Sequence, residues 1–281
     1  MEEGTHRAAT ACLDERAAEV AALVHLAEAA DREIVLRASA VAARLAAPSQ
    51  CADASWLAHR PAPALGSEHE ITALRRRLEQ AAALRWAGRY DDGLALAKSI
   101  TVDARTLGWP RLEAEALLLE GSLMEDSGDY EGSLPVLEAA LFVSAKAGQD
   151  LLAAEAAEQL TFVEGSLLRR PDDGLHWARF GDLLLSRSGE VEGLGAAGLA
   201  NVTGGVHQAR GDFRDAISAC TRAVEIYERE LGPGHIELTA PLGGLGVAHM
   251  SLGEYAAARV HGSTTCASRC WGRNIRVSAR R

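Results

Sequence analysis

Gly193-Leu194-Gly195-Ala196-Ala197-Gly198 has the glycine spacing that lets a backbone close on a dinucleotide pyrophosphate at the start of a helix. That chemistry needs a strand ahead of the glycines, and no apolar strand precedes Gly193. The string reads as a loop between helices, and no cofactor is expected. Asp212-Phe213-Arg214 ends in arginine where the magnesium-binding triplet of kinases has glycine, and the chain has neither an H-R-D loop nor a glycine-rich loop with its strand lysine. His207 and His249 each lie three residues after a glycine, Gly204 and Gly246, and could form a ligand pair. Met124 stands at the corresponding place after Gly121, so we read the two histidines as wall and not as ligands. Cys266 and Cys270 lack the two-residue spacing of a zinc knuckle and have no second pair, so no metal is assigned. Cys220 reads as a small buried apolar residue. No catalytic residue is expected, and the chain reads as a non-enzyme.

The elements that would position any site come from a repeat. Gly88-Arg89-Tyr90, Gly128-Asp129-Tyr130, Gly211-Asp212-Phe213 and Gly253-Glu254-Tyr255 recur along the chain, with a degenerate copy at Arg169-Arg170-Pro171. The period is 40 to 42 residues, the mark of a helical array in which stacked neighbours share one continuous core. Each glycine ends a first helix and the aromatic opens a second, along which Ser133, Leu134, Leu137, Ala140 and Leu141 make a stripe at helical spacing. Gly121, Gly204 and Gly246 each precede the turn glycine by seven residues, two helical turns, so Gly204 and Gly246 are expected at tight helix contacts. The fold class is therefore all-α, an α-α superhelix of antiparallel helix hairpins.

This combination resembles the tetratricopeptide repeat family in its long form, whose units are joined by an L-G-P-x-H segment, here Leu231-Gly232-Pro233-Gly234-His235. The resemblance covers about residues 68 to 262, and Pro171 departs from it where an aromatic is expected. The Cys12-Leu13-Asp14-Glu15-Arg16 start and the Cys51-Ala52-Asp53 segment also look like the carboxy-terminal region of large bacterial serine/threonine kinases that carry such arrays. The first resemblance implies a protein-interaction scaffold that takes a peptide or partner helix in a concave groove of first helices. The second implies the regulatory end of a signalling kinase without its catalytic domain.

Counting from the repeat glycines, the exposed groove positions are Glu115, Leu118, Ser122, Glu125 and Asp126 in one unit and Asn201, Gly205 and Gln208 in the next. Such a mixed, acidic groove favours a partner of basic or amide-rich character. A formal net charge of -10 with no basic stripe argues against nucleic acid. No run of about 18 apolar residues exists, so no membrane span is expected, and the acidic start lacks a secretory signal. The chain as given is expected in the cytoplasm, or outside it if it derives from a longer membrane-anchored kinase. Cys12 and Cys51 would accordingly be thiols in the first case and could be bridged in the second. Oligomeric state is not legible.

Three segments follow. Residues 1 to 66 form an N-terminal helical segment, with two helices over 8 to 47 broken near Ala30-Asp31, a short helix over Asp53 to His59, and a linker from Pro61 to Ser67. Residues 67 to 262 carry the array. Residues 263 to 281 form an irregular basic tail, because after Glu254 the chain has six arginines and no acid. At the next expected joining segment it reads Trp271-Gly272-Arg273-Asn274-Ile275, which one adjacent reading frame can turn into Leu-Gly-Pro-Glu-His. A frameshift near His261 is the expected cause, and a tail without a selected core pattern is its consequence.

Overall fold

In a computed structural model, the residues described are 3–28, 48–52, 57 and 68–260; the second helix expected before residue 47, all of the short Asp53 to His59 helix but residue 57, the linker and the basic tail lie outside them. Ten helices are labelled here: α1 (Glu3–Glu28), α2 (Glu68–Trp86), α3 (Tyr90–Leu107), α4 (Pro110–Ser127), α5 (Tyr130–Lys146), α6 (Asp150–Phe162), α7 (Pro171–Ser188), α8 (Leu194–Arg210), α9 (Phe213–Leu231) and α10 (Thr239–Ser251). Residues 255–260 are also helical, and no strand occurs among the described residues. The chain divides into two compact units, residues 1–156 and 157–281.

The helices alternate as the repeat requires. Even-numbered helices are first helices and odd-numbered ones from α3 onward are second helices. In the first unit α2 packs on α3, α3 on α4 and α4 on α5, with Leu74, Ala81, Ile100, Ala104, Leu112 and Ala116 making a buried cluster. In the second unit α7, α8, α9 and α10 pack in order, and α10 also touches α8.

The turn between paired helices is left-handed in every unit. Gly88, Gly128, Gly211 and Gly253 have φ between 76° and 91°, a region that costs a side chain steric strain. The degenerate unit keeps the same turn without glycine: Arg169 adopts φ 57°. Pro171 then sits at the first position of α7, where its missing N–H is an orphan in any case. Ahead of this turn, Val163–Leu167 widens into a π turn. A second glycine column, Gly108, Gly148, Gly189 and Gly232, has positive φ at the turns from one hairpin to the next; of these the motif reading registered only Gly232, in the joining segment. Gly232 ends α9, and His235 then accepts from the Glu237 N–H at 3.3 Å to open the 3-10 turn into α10.

Close approach is set by a small residue three positions after the residue that opens each second helix, an aromatic or Pro171. Gly93, Ser133, Gly174, Ala216 and Ala258 are all buried. Gly204 meets this pattern as expected: a Cβ there would lie 2.5 Å from Cys220 Sγ and 3.4 Å from the Ala216 carbonyl oxygen. Gly246 does not. Among the described residues its Cβ would find only the Ala258 carbonyl oxygen, at 3.9 Å. The tightness at Gly121 and Gly204 comes from the residue sixteen positions on, Leu137 and Cys220; the residue at that offset from Gly246, Gly262, lies outside the described residues.

Cys12 and Cys51 form a disulfide, with Cα atoms 5.6 Å apart, the second of the two states that the sequence leaves open. The 3-10 turn Pro48–Ala52 packs on α1 and delivers Cys51 to the buried face of that helix, an approach no spacing rule reveals.

Candidate interaction face

In the first unit the expected groove positions fall on α4, and the structure divides them. Leu118 and Ser122 are buried, which corrects their placement on an exposed face. The reason lies in α4 itself, where buried residues surround nearly the whole circumference from Leu112 to Met124 because helices flank it on several sides. Glu115, Glu125 and Asp126 remain on the accessible edge, and arginines answer all three. Arg111 Nε donates to Glu115 Oε1 at 2.8 Å, and Arg85 Nε of α2 donates to Asp126 Oδ2 at 2.6 Å. Burial pushes the Glu125 carboxyl up to about 7, against the pull of Arg85 and with the push of Asp126. The face is therefore charge-balanced and not acidic.

Arg75 and Glu79 of α2 continue this edge. Burial lowers the Arg75 pKa, while Glu115 supports its charge and Arg111 opposes it. Glu79 is pushed up to about 7, first by burial and then by Glu19. Glu15 of α1 makes a close ion pair with Arg75. Motif reading missed Arg75, Glu79 and α1's part in the face. The 40-residue offset from Glu115 to Arg75 was the available signal.

In the second unit Asn201, Gly205 and Gln208 lie half-buried on α8. Gln208 Nε2 donates to the Gly244 carbonyl oxygen at 3.2 Å, tying α8 to α10. Gly205 is open, since among the described residues a Cβ there would meet only Ser166 Oγ, at 3.7 Å. The same column, carried 42 residues on, reaches Gly243, Val247 and Met250; Val247 is 49% exposed and Met250 57%. This stretch is amide-bearing, small and apolar at its α10 end.

The histidines take a structural place. His249 Nδ1 lies 2.6 Å from Glu254 Oε2, which the contact holds below its usual carboxylate range, and His207 Nδ1 lies 3.8 Å from Asp212 Oδ2. Each thus faces the acidic residue that begins the following helix. His207, Asp212 and Asp215 bring one ligand atom each within 4.8 Å of one another, beside a cleft of about 380 Å³ that His207, Asp215, Asp182 and Arg222 help to line. Asp212 Oδ2 already accepts from Arg210 Nε at 2.5 Å. Gly193 to Gly198 runs from a turn into α8, with no strand before it, so the dinucleotide string is the start of a repeat helix.

No helix among the described residues is long and apolar enough to cross a membrane. The family model described as "Tetratricopeptide repeat" matches residues 196–268. The chain is similar in structure to BtubC (BKLC) from P. vanneervenii, with a TM-score of 0.62 at 18% identity over 76% of this chain and 88% of that one. It is also similar to the nearly identical TPR-like repeats of a candidate kinesin light chain from Podosopora anserina, with a TM-score of 0.56 at 14% identity over 72% of this chain and 98% of that one. No curated protein sequence matches the chain. The fold is an all-α, TPR-like superhelix of helix hairpins, an architecture that generally mediates protein–protein interaction and generally serves as a non-catalytic scaffold.

Proposed function

We propose that the chain is a non-catalytic interaction scaffold that binds a peptide or partner helix along the face of its first helices. The observation that carries this reading is the second-unit column of Asn201, Gly205 and Gln208, continued by the exposed Val247 and Met250. Two amides offer directed hydrogen bonds, a bare glycine admits a close backbone, and an apolar end accepts an anchoring side chain. The partner is an amide-rich segment with one apolar anchor. The basic character expected from the acids of α4 loses its support, because Arg85 and Arg111 already neutralise them.

A photo-crosslinking residue at position 247 of the full chain, with one at position 183 on α7 as control, tests the reading. Leu183 is exposed too but lies on a second helix. Adducts with protein from position 247 that are lost on Asn201→Ala, and absent from position 183, are expected. Equal adducts from both positions refute it.

The Cys12–Cys51 bridge favours a second reading, the extracytoplasmic regulatory end of a bacterial serine/threonine kinase, since such bridges persist in oxidising surroundings. A kinase reading frame in the DNA upstream of Met1 would support it, and an unrelated frame there would remove it.

A further inference from the structure

His207, Asp212 and Asp215 occupy the places held by Met124, Asp129 and Gly132 in one repeat and by His249, Glu254 and Ala257 in another. Of these three sets, the first alone brings three metal-ligating side chains together. The imidazole of the last set is satisfied, with His249 Nδ1 2.6 Å from Glu254 Oε2. His207 differs. Its Nδ1 is closed to solvent and has no hydrogen-bond partner among the described residues, and it lies 3.8 Å from Asp212 Oδ2. That separation is too long for a hydrogen bond. It suits two atoms that share an ion, since ligands about 2.1 Å from a tetrahedral centre stand about 3.4 Å from one another. Asp215 completes the set: one donor atom from each residue lies within 4.8 Å of the other two. Asp215 is exposed, so a movement of its carboxylate by roughly 1 Å closes the remaining gap.

The carboxylate of Asp212 is not committed to its helix. Asp129, at the same place ahead of α5, accepts from the Gly132 N–H at 3.1 Å, whereas the Asp212 side chain makes no such bond to α9. Arg210 Nε donates to Asp212 Oδ2 at 2.5 Å, but Arg210 Nη1 also donates to Asp172 Oδ1 at 3.0 Å, so the guanidinium keeps an acceptor when Asp212 turns to a cation. A buried imidazole nitrogen without a partner is costly, and a bound ion would remove that cost. One imidazole and two carboxylates, with no sulfur, make a donor set for zinc or a similar divalent transition metal. We propose that His207 Nδ1, Asp212 and Asp215 bind such an ion where α8 turns into α9. Three protein ligands leave a further position, and the adjoining cleft of about 380 Å³, which His207 and Asp215 help to line, has room for a water or a donor atom of a bound molecule there. The site stands apart from the scaffold reading, which neither requires nor excludes it.

The test uses the full chain without an affinity tag and with Cys266→Ser/Cys270→Ser, because thiolates there would compete for the ion. Zinc chloride is titrated calorimetrically, and cobalt(II) chloride is followed by its visible d–d bands. About one ion per chain is expected, with cobalt bands of nitrogen and oxygen ligands and no thiolate charge-transfer band. His207→Ala and Asp215→Asn should each weaken binding at least about tenfold, while His249→Ala leaves it unchanged. Asp215 is exposed, so its variant should keep the helix-band circular dichroism and its effect is not one of unfolding. Arg210→Gln should tighten binding, because the guanidinium and the ion compete for Asp212 Oδ2. Binding that survives His207→Ala or Asp215→Asn, or that weakens on Arg210→Gln, overturns the proposal. The absence of both heat and bands at about 1 mM ion overturns it as well.

Discussion

Gly204 on α8 offers the sharpest quantitative test of the packing. Its backbone faces Cys220 of α9, and Gly244 of α10 faces the same sulfur, where a Cβ would lie 2.8 Å from it. Two glycine backbones therefore flank one buried thiol, and a methyl group on Gly204 would stand 2.5 Å from that sulfur. Ordinary contact begins at about 3.5 Å, so roughly 1 Å must be found by moving a sulfur that has a backbone on either side. The other neighbours, the Ala216 carbonyl oxygen at 3.4 Å and the Cys220 nitrogen at 3.5 Å, need little or no shift, so the strain is concentrated on one atom. Overpacking of this kind costs about 1–3 kcal/mol, while replacing a mid-helix glycine by alanine returns about 1 kcal/mol of helix propensity. Gly204→Ala should therefore lose up to about 2 kcal/mol net. In a Cys220→Ala background, where the sulfur is gone, the same change should instead gain up to about 1 kcal/mol. The coupling in the double-mutant cycle is then about 1–3 kcal/mol. Urea titrations followed by circular dichroism at the helix band measure all four proteins. Gly246→Ala, whose new methyl would meet nothing closer than 3.9 Å among the described residues, is the internal control and should be neutral or stabilising. A coupling below about 0.5 kcal/mol, the scatter of independent sites, would refute the argument that this thiol sets the α8–α9 separation.

Arg169→Gly should stabilise the chain by about 1 kcal/mol, because it removes a side chain from the left-handed turn at φ 57° that glycine makes in the other units; a lowered unfolding midpoint would contradict this. Glu79 holds its proton up to about pH 7, above its ordinary 4.5, so the folded state binds that proton more tightly than the unfolded one. Its contribution is favourable below about pH 4.5 and is lost as pH rises to about 7, by on the order of 2–3 kcal/mol. Glu79→Gln should flatten that part of the stability profile and make the chain more stable at pH 8, as read from urea midpoints at pH 5 and pH 8; an unchanged slope would show that Glu79 is solvated.

The repeat period, the helix-ending glycines Gly88, Gly128, Gly211 and Gly253, and the all-α class were legible in the residue order, because a left-handed turn and a helical stripe are local demands on local residues. Even the degenerate unit was placed correctly by period alone, with Pro171 opening α7. The identity of the contacts was not legible. Gly204 and Gly246 occupy equivalent places in the repeat, yet among the described residues only the first is tight, since a Cβ on Gly204 meets the Cys220 sulfur of another helix. Leu118 and Ser122 were expected in a groove and are buried, because the face a helix leaves open depends on how many neighbours flank it. Glu125 and Asp126 looked like an acidic surface until packing set Arg85 of α2 beside them. The Cys12–Cys51 bridge and the charged seam beneath α1 join residues far apart in the chain, and only the approach of one element to another could bring them together. Residue order decides which helices form and where they turn; the tertiary structure decides which of their faces meet water, because burial is a property of neighbours.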